Sequence, residues 1–347
     1  MLPVEPPVTP MLARHSEEIP NGPGWLYEPK WDGFRGVVFR EGDRVEIHSR
    51  SGQQLQRYFP ELVGVLMDAL PERCVADGEI VVQGEKGLDW DRLGQRIHPA
   101  ESRVRRLAAE WPAWFVAFDL LAEGDDDLRE LPLVERRRRL RAAIRTHAQV
   151  ALTPQTDDAG TAEEWFTAFE GAGLDGVIAK RADQHYVPGE RVMLKIKHHR
   201  TADCVVGGYR VHKDGAGVGS LLLGLYRADV LHHVGHTSSF NAAERRELRS
   251  TLAPLETEGD EGFGGGRTPG SPSRWTGTKD LSWVRLRPEL VCEVHFDQLQ
   301  EGRFRHAARL LRWRPDKAPR ECTYDQLEPP HPFALADIVE LGRARQG

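Results

Sequence analysis

The chain has 347 residues, 39% of them apolar and 29% charged, with a net charge of −6. That length accommodates two domains, each with its own core, while the acidic balance argues against a uniformly basic nucleic-acid coat protein. No apolar run approaches the roughly 20 residues of a membrane span, and the isolated cysteines Cys74, Cys204, Cys292 and Cys322 form no C-x-x-C pair, which argues against a zinc site or disulfide framework.

In chain order, the segment to about Pro23 is proline-rich and reads as an extended arm, with neither the basic start nor the apolar stretch of a signal peptide. Alternating apolar residues predict strands at Trp25–Pro29, Gly36–Arg40 and Val45–His48. A helix is expected over Phe59–Leu70, then buried strands at Cys74–Val82 and Ala113–Leu121. Leu133–Thr146 reads as a basic helix and Thr161–Ala172 as an amphipathic one, with strands returning at Gly176–Lys180 and Val192–Lys197. From about Thr201 the pattern shifts to short strands, Cys204–Arg210, Ser220–Tyr226, Val230–His236 and Leu290–Asp297, with one helix at Asn241–Leu252. Mostly strands with a single helix suit a small closed barrel of the OB type. Glu258–Pro272 is rich in glycine and acid and reads as a mobile loop. The fold class is therefore α+β: a domain of antiparallel sheets with flanking helices over residues 1–200, then an OB-fold β-barrel domain over 201–347.

Charge is unevenly spread. Residues 201–347 hold 20 basic and 20 acidic side chains, so any nucleic-acid surface must be a local patch. The best such patch is 303–320, with Arg303, Arg305, Arg309, Arg312, Arg314, Lys317 and Arg320 against the single acid Asp316. Only eight of the 47 basic residues are lysine. A retained lysine is a candidate for what arginine cannot do, which is to act as a neutral nucleophile.

The stretch Glu28-Pro29-Lys30-Trp31-Asp32-Gly33-Phe34-Arg35 sets one lysine between two carboxylates, ahead of a glycine and an arginine. A lysine attacks phosphorus only as the neutral amine, and near pH 7 a free one is almost wholly charged. The pattern K-x-D-G-x-R resembles the nucleophile motif of the covalent nucleotidyltransferases: DNA ligases, RNA ligases and mRNA capping enzymes. Six further segments resemble that family's motifs in the same order: His48-Ser49-Arg50-Ser51-Gly52, Asp77-Gly78-Glu79-Ile80, Phe115-Val116-Ala117-Phe118-Asp119, Asp175-Gly176-Val177-Ile178-Ala179-Lys180, Leu194-Lys195-Ile196-Lys197 and Arg312-Trp313-Arg314-Pro315-Asp316-Lys317. The flanks, Arg303-Phe304-Arg305-His306 and Glu321-Cys322-Thr323-Tyr324, most resemble the small bacterial ATP-dependent DNA ligases of the ligase C type.

The resemblance implies a chemistry of three in-line displacements at phosphorus. Lys30 takes AMP from ATP, AMP passes to the 5′-phosphate of a nick, and the 3′-OH displaces AMP. It implies ATP, with AMP as the covalent intermediate, and Mg2+, or Mn2+ in its place. Nicked double-stranded DNA is the implied partner, with repair polymerases or end-binding proteins as further candidates, for a monomer in the cytoplasm with a role in DNA repair. With no room for the large N-terminal DNA-binding domain of larger ligases, DNA binding is expected to be weak and salt-sensitive.

Residue by residue, the resemblance makes Lys30 the nucleophile, its pKa depressed by Lys195, Lys197 and a metal. Glu28 would accept from the adenine amino group, Pro29 would adjoin the nucleotide, and Phe118 would stack on adenine with Val177 or Ile178 on the other face. Asp32 would orient the 3′-OH or a metal water. Arg35 and Arg50 would bind ribose, AMP phosphate or the nick 5′-phosphate. Glu79 and Asp175 would face the metal or the ribose; the family usually has glutamate where Asp175 stands, so Asp175 reaches a metal through water. Lys180, Lys195 and Lys197 would hold the α-phosphate. Arg314, Asp316 and Lys317 belong to the second domain, and Arg314 and Lys317 would clamp pyrophosphate. Arg303, Arg305 and Arg309 would contact DNA phosphates. Three other readings stay open at this level: a GTP-using capping enzyme, an RNA ligase and an inactive nick- or end-binding module.

Overall fold

A computed structural model describes residues 1–85, 87–145, 147–169, 173–198, 200–215, 217–259, 262–264, 269, 282–297, 299–300, 302–327 and 338. The expected loop Glu258–Pro272 and the expected helix ends at Thr146 and Ala172 lie wholly or largely outside them. Two compact units divide the chain: Met1–His198 with Pro329–Gly347, and His199–Glu328.

The first unit runs β1 (Leu12–His15), β2 (Trp25–Pro29), β3 (Phe34–Glu41), β4 (Arg44–His48), α1 (Pro60–Ala69), β5 (Arg73–Val82), α2 (Trp90–Gln95), α3 (Glu101–Glu110), β6 (Ala113–Glu123), β7 (Asp126–Asp127), α4 (Leu133–Ala143), β8 (Val150–Leu152), α5 (Ala159–Ala168), β9 (Val177–Arg181) and β10 (Arg191–Ile196). One sheet has the order β1-β10-β9-β2, the other β4-β3-β5-β6-β7 with β8 added to β6. Most pairs are antiparallel, but β1 joins β10 and β8 joins β6 in parallel. The proline-rich arm is thus partly strand, with Ala13 opposite Met193 and His15 opposite Lys195.

Strand alternation decides what each face carries. On β3 and β5, Val37, Phe39 and Val75 pack with Met11, Tyr186 and Met193. The opposite faces, through Val38, Ala76 and Ile80, pack on Leu62, Leu66 and Ala69 of α1. Further along the first face, Arg35, two positions from Val37, and Glu79, four from Val75, turn towards a cavity. The basic helix α4 does not turn all its charge to solvent: Arg136 and Arg137 are buried with Leu133 and Leu140. Arg136 donates to both oxygens of buried Asp119 at 2.8 and 2.9 Å, so the charge is paired and bidentate.

The second unit runs β11 (Arg200–Val211), β12 (Val218–Arg227), β13 (Val230–Thr237), α6 (Ala242–Leu252), β14 (Val284–Arg285), β15 (Val291–Phe296), β16 (Leu299–Gln300), β17 (Arg303–Phe304) and β18 (Arg309–Trp313). Its sheet order is β13-β12-β11-β15-β18. A parallel bridge from Thr237 to Ala308 brings the two ends of that order together, which removes the free edges and makes a barrel. Asn241 caps α6, accepting from Ala243 N and Glu244 N while Glu244 accepts from Asn241 N, and Leu248 and Leu252 enter the barrel core.

Candidate active site

A cavity of about 300 Å3 lies between the two sheets of the first unit. Lys30, directly after β2, stands in its wall. Two backbone bonds lock the lysine to the segment before β9: Lys30 N donates to Gly176 O at 2.9 Å, and Asp175 N donates to Lys30 O at 3.0 Å. Gly176 is required there, because its φ is +114° and a Cβ would stand 1.9 Å from Ile196 O.

Asp175 Oδ2 lies 3.0 Å from Lys30 Nζ and 2.6 Å from Lys197 Nζ, so one carboxylate oxygen serves two ammonium groups. Burial alone would lower the Lys30 pKa, but the charges of Asp175, Asp32 and Glu79 outweigh it and the net direction is upward. This reverses the depression expected from neighbouring cations: three carboxylates, with Asp175 first among them, set the direction. Lys195 goes the other way, lowered first by burial and then by Lys197, Lys30 and Arg191. Asp175 is itself held low: burial opposes its charge, but Lys30 and Lys197 prevail.

Glu28 is buried and saturated. Its Oε2 lies 2.6 Å from Lys180 Nζ, and its Oε1 accepts from Gln155 Nε2 at 2.8 Å. The ring of Phe118 carries two cations, with the Arg35 guanidinium carbon 4.4 Å and Lys180 Nζ 4.8 Å from its centroid. Arg35 donates two hydrogen bonds of 2.5 Å to the oxygens of Asp77. Burial pushes Glu79 up to about 7, against the lowering effect of Arg35 and Lys30.

The cavity brings together Glu28, Pro29, Lys30, Arg35, Arg50, Glu79, Phe118, Lys180, Lys195 and Lys197. Asp32 does not line it, yet its charge acts on both Lys30 and Glu79. Ile178 lines the cavity, whereas Val177 is buried in the core beneath β9. Trp31 is fixed in place by its indole N–H, which donates to Thr153 Oγ1 at 2.8 Å. Sequence reasoning passed over Met11, Leu12, Ala13 and Arg191, which also line the cavity. Arg191 carried a signal: with Met193 and Lys195 it follows the period of two along one face of β10.

In the second unit, Arg314 and Lys317 converge on Asp203, a residue that motif reading does not single out. Arg314 donates to Asp203 at 2.8 and 3.0 Å, and Lys317 donates at 2.9 Å. Asp316 also accepts from Arg314, which holds its carboxyl down at about 2. Arg303 lies 2.8 Å from His233 Nδ1. Burial, then Arg303 and Arg210, press that imidazole down to about 3, so it is neutral and accepts the guanidinium N–H. Arg305 is half-buried and Arg309 is exposed on β18.

A two-sheet unit with a cavity-facing lysine, followed by a closed barrel, is the architecture of a nucleotidyltransferase. The family described as "ATP dependent DNA ligase domain" matches residues 10–197, and "ATP dependent DNA ligase C terminal region" matches 214–317. The chain belongs to the ATP-dependent DNA ligase family, and it is a DNA ligase. It is 52% identical to DNA ligase C1 of Mycolicibacterium smegmatis, over 98% of this chain and 99% of that protein. It is 32% identical to the multifunctional non-homologous end joining DNA repair protein LigD of Mycobacterium tuberculosis, over 90% of this chain and 39% of LigD. A solved structure of a Lig E DNA ligase shares the fold, with a TM-score of 0.54 at 19% identity, over 88% of this chain and 98% of that one.

Proposed function

We propose that Lys30 is the nucleophile that takes AMP from ATP, and that the enzyme seals nicked duplex DNA with the lysyl-AMP so formed. The observation that carries this reading is the position of Lys30 Nζ, 3.0 Å from Asp175 Oδ2 in the wall of a cavity that also presents Glu28 and Lys180. The amine attacks the α-phosphorus, a phosphorus–nitrogen bond forms and pyrophosphate leaves. The proton of the charged lysine must leave first, and Asp175 is the nearest acceptor. The AMP then passes to the 5′-phosphate of the nick, and attack by the 3′-OH forms the phosphodiester and releases AMP. Apart from the lysyl bond itself, rate comes from positioning and from neutralising oxygens.

In this reading Glu28, next to Pro29, accepts from the adenine amino group in place of Gln155, whose amide turns aside, while Lys180 keeps the other oxygen. Phe118 and Ile178 sandwich the base. Lys180, Lys195 and Lys197 hold the α-phosphate; Arg35 and Arg50 bind ribose or phosphate. Asp32 orients the 3′-OH. In the second unit, Arg314 and Lys317 bind the leaving pyrophosphate with Asp316 fixing Arg314, and Arg303, Arg305 and Arg309 contact DNA phosphates. Residues 1–200 act as the adenylation domain and 201–347 as the OB domain.

Magnesium, or manganese in its place, suits this site in part. Glu79 is a carboxylate raised by burial beside the cavity, the kind of hard oxygen a cation would recharge. Asp175 already serves two ammonium groups, so its contact to a metal would run through water. Among the described residues no group of three or more His, Cys, Asp or Glu side chains can hold a metal, so the ion would take most of its ligands from the triphosphate and water. Bound there, it would neutralise the oxygens of ATP.

A repair role, in the cytoplasm and as a monomer, is proposed on the likeness to ligase C and LigD; repair polymerases and end-binding proteins are the partners to test. The decisive experiment incubates the protein with α-labelled ATP or GTP and Mg2+, followed by a denaturing gel. Label from ATP, discharged by nicked DNA and absent from Lys30→Ala, supports the reading. Label from GTP alone points to capping chemistry. No label with either nucleotide, in protein shown to be free of AMP, leaves a binding module. Nicked RNA run beside nicked DNA separates an RNA ligase.

A further inference from the structure

We propose that Tyr186 is a positioning residue whose hydroxyl, acting through Asp77, fixes the direction in which Arg35 enters the nucleotide cavity. The inference rests on the reading of Arg35 as a ribose or phosphate contact.

Asp77 is completely buried, and both its oxygens accept from Arg35 at 2.5 Å. Its Oδ2 accepts a second hydrogen bond, from the Tyr186 hydroxyl at 2.7 Å. That hydroxyl oxygen in turn accepts from the backbone N–H of Met11 at 3.2 Å. The phenol is thus donor on one side and acceptor on the other, and its single proton has one place to go. Burial first, and the Asp77 charge second, hold the phenol well above its ordinary pKa, so it stays a donor at any working pH.

The geometry transmits. A guanidinium in a bidentate pair lies in the plane of its carboxylate, so whatever fixes that plane fixes the guanidinium. Tyr186 is the third donor on Asp77, and it is 109 residues away in sequence. Held so, Arg35 lies over the Phe118 ring, 4.4 Å from its centroid, and lines the cavity. Met11, bound to the same hydroxyl, belongs to the segment that lines the cavity. One oxygen therefore ties the β1 arm, the Asp77 plane and Arg35 together. Apolar packing alone does not need it, because phenylalanine would fill the same space beside Val37 and Phe39.

The test is a double-mutant cycle: wild type, Tyr186→Phe, Arg35→Ala and the double variant, each assayed for single-turnover nick sealing and for KM and kcat with ATP. Tyr186→Phe is expected to slow sealing about tenfold, the size of a lost hydrogen bond to a charged group. In the Arg35→Ala background it is expected to cost nothing more. Asp77→Asn, which breaks the bidentate pair itself, should cost at least as much as Tyr186→Phe and likewise nothing more in the Arg35→Ala background, and serves if Tyr186→Phe folds poorly. Equal losses in both backgrounds, or an unchanged rate in Tyr186→Phe while Arg35→Ala is impaired, overturn the inference and leave the reading of Arg35 intact. An Arg35→Ala protein that seals like wild type overturns the reading of Arg35 and the inference with it.

Discussion

Lys30 and Asp175 are joined twice: the Asp175 N–H donates to the Lys30 carbonyl at 3.0 Å, and the Asp175 carboxylate lies 3.0 Å from the Lys30 amine. The backbone bond fixes where the carboxylate starts and the ion pair fixes where the amine ends. The same pairing raises the pKa of the amine proposed as the nucleophile. With Lys30 as the proposed nucleophile, the site trades nucleophilicity in the resting protein for position, and the cations Lys195 and Lys197 line the same cavity.

Replacing Asp175 with asparagine removes the largest of the charges that raise Lys30. The amine should then lose its proton at lower pH, moving the midpoint of the pH profile of lysine adenylation down. The plateau should fall as well, since Lys197 loses its partner. Single-turnover labelling from α-labelled ATP across pH 6 to 10 measures both. A midpoint that stays put or rises would mean that Asp175 does not set the Lys30 proton affinity.

Gln155 is a quieter member of the site. Its amide donates to Glu28 Oε1 at 2.8 Å while Lys180 holds the other oxygen. Gln155→Ala should free the carboxylate to turn, at a cost of about 1 kcal/mol in nucleotide binding, or roughly fivefold in KM for ATP. Discrimination against GTP should fall in parallel. An unchanged ratio of ATP to GTP labelling would separate Glu28 from base recognition.

Glu79 makes the protein's stability depend on pH. Its folded value is about 7 against an unfolded value of 4.5, so between those limits the folded state binds more protons than the unfolded state. Stability then falls as pH rises through that window, by about 3 kcal/mol at full ionisation. Glu79→Gln removes the penalty, so the Tm advantage of the variant should widen from pH 5 to pH 8 without metal. Added Mg2+ should narrow it, if Glu79 faces the ion. Parallel Tm curves for the two proteins would show that Glu79 is not the group responsible.

Gly33→Ala tests the turn between Lys30 and Arg35. An added Cβ would lie 2.1 Å from Ile80 O and 2.9 Å from Glu79 Cγ. Strand β5 cannot move away, because β6 holds its other edge. The substitution should cost about 2–4 kcal/mol and displace Arg35 from the cavity. Thermal unfolding together with adenylation rates checks this; a variant as stable as wild type would mean that the turn yields.

What the sequence revealed and what it concealed divide by range. Lys30, Gly33 and Arg35 are neighbours, so their motif could be read without a fold. Strands such as Trp25–Pro29 were legible because alternation is local. The arm strand Leu12–His15 was not: its partner is β10, far along the chain, and prolines flank it. Asp203 beneath Arg314, and Tyr186 beneath Asp77, are likewise products of tertiary pairing. The four consecutive arginines of α4 did carry a signal that charge alone obscured. Leu133, Arg136, Arg137 and Leu140 follow the spacing of one helical face, and that face is the buried one.

Asp203 carries the last prediction. It is the shared acceptor for Arg314 and Lys317, and it lies in β11, where its neighbours Ala202 and Cys204 are core residues. Its position is therefore set by the barrel and not by the loop that bears the two cations. Asp203→Ala should release both cations, leaving Arg314 with Asp316 alone. If those cations bind the leaving pyrophosphate, lysine adenylation should slow by about tenfold, roughly one lost charged hydrogen bond. Sealing of a nick that already carries AMP on its 5′-phosphate needs no pyrophosphate contact, and should proceed at the wild-type rate. Comparing the two rates in one preparation separates this role from general damage to the barrel. Equal slowing of both steps would remove Arg314 and Lys317 from the adenylation step and assign the cluster to stability or DNA binding.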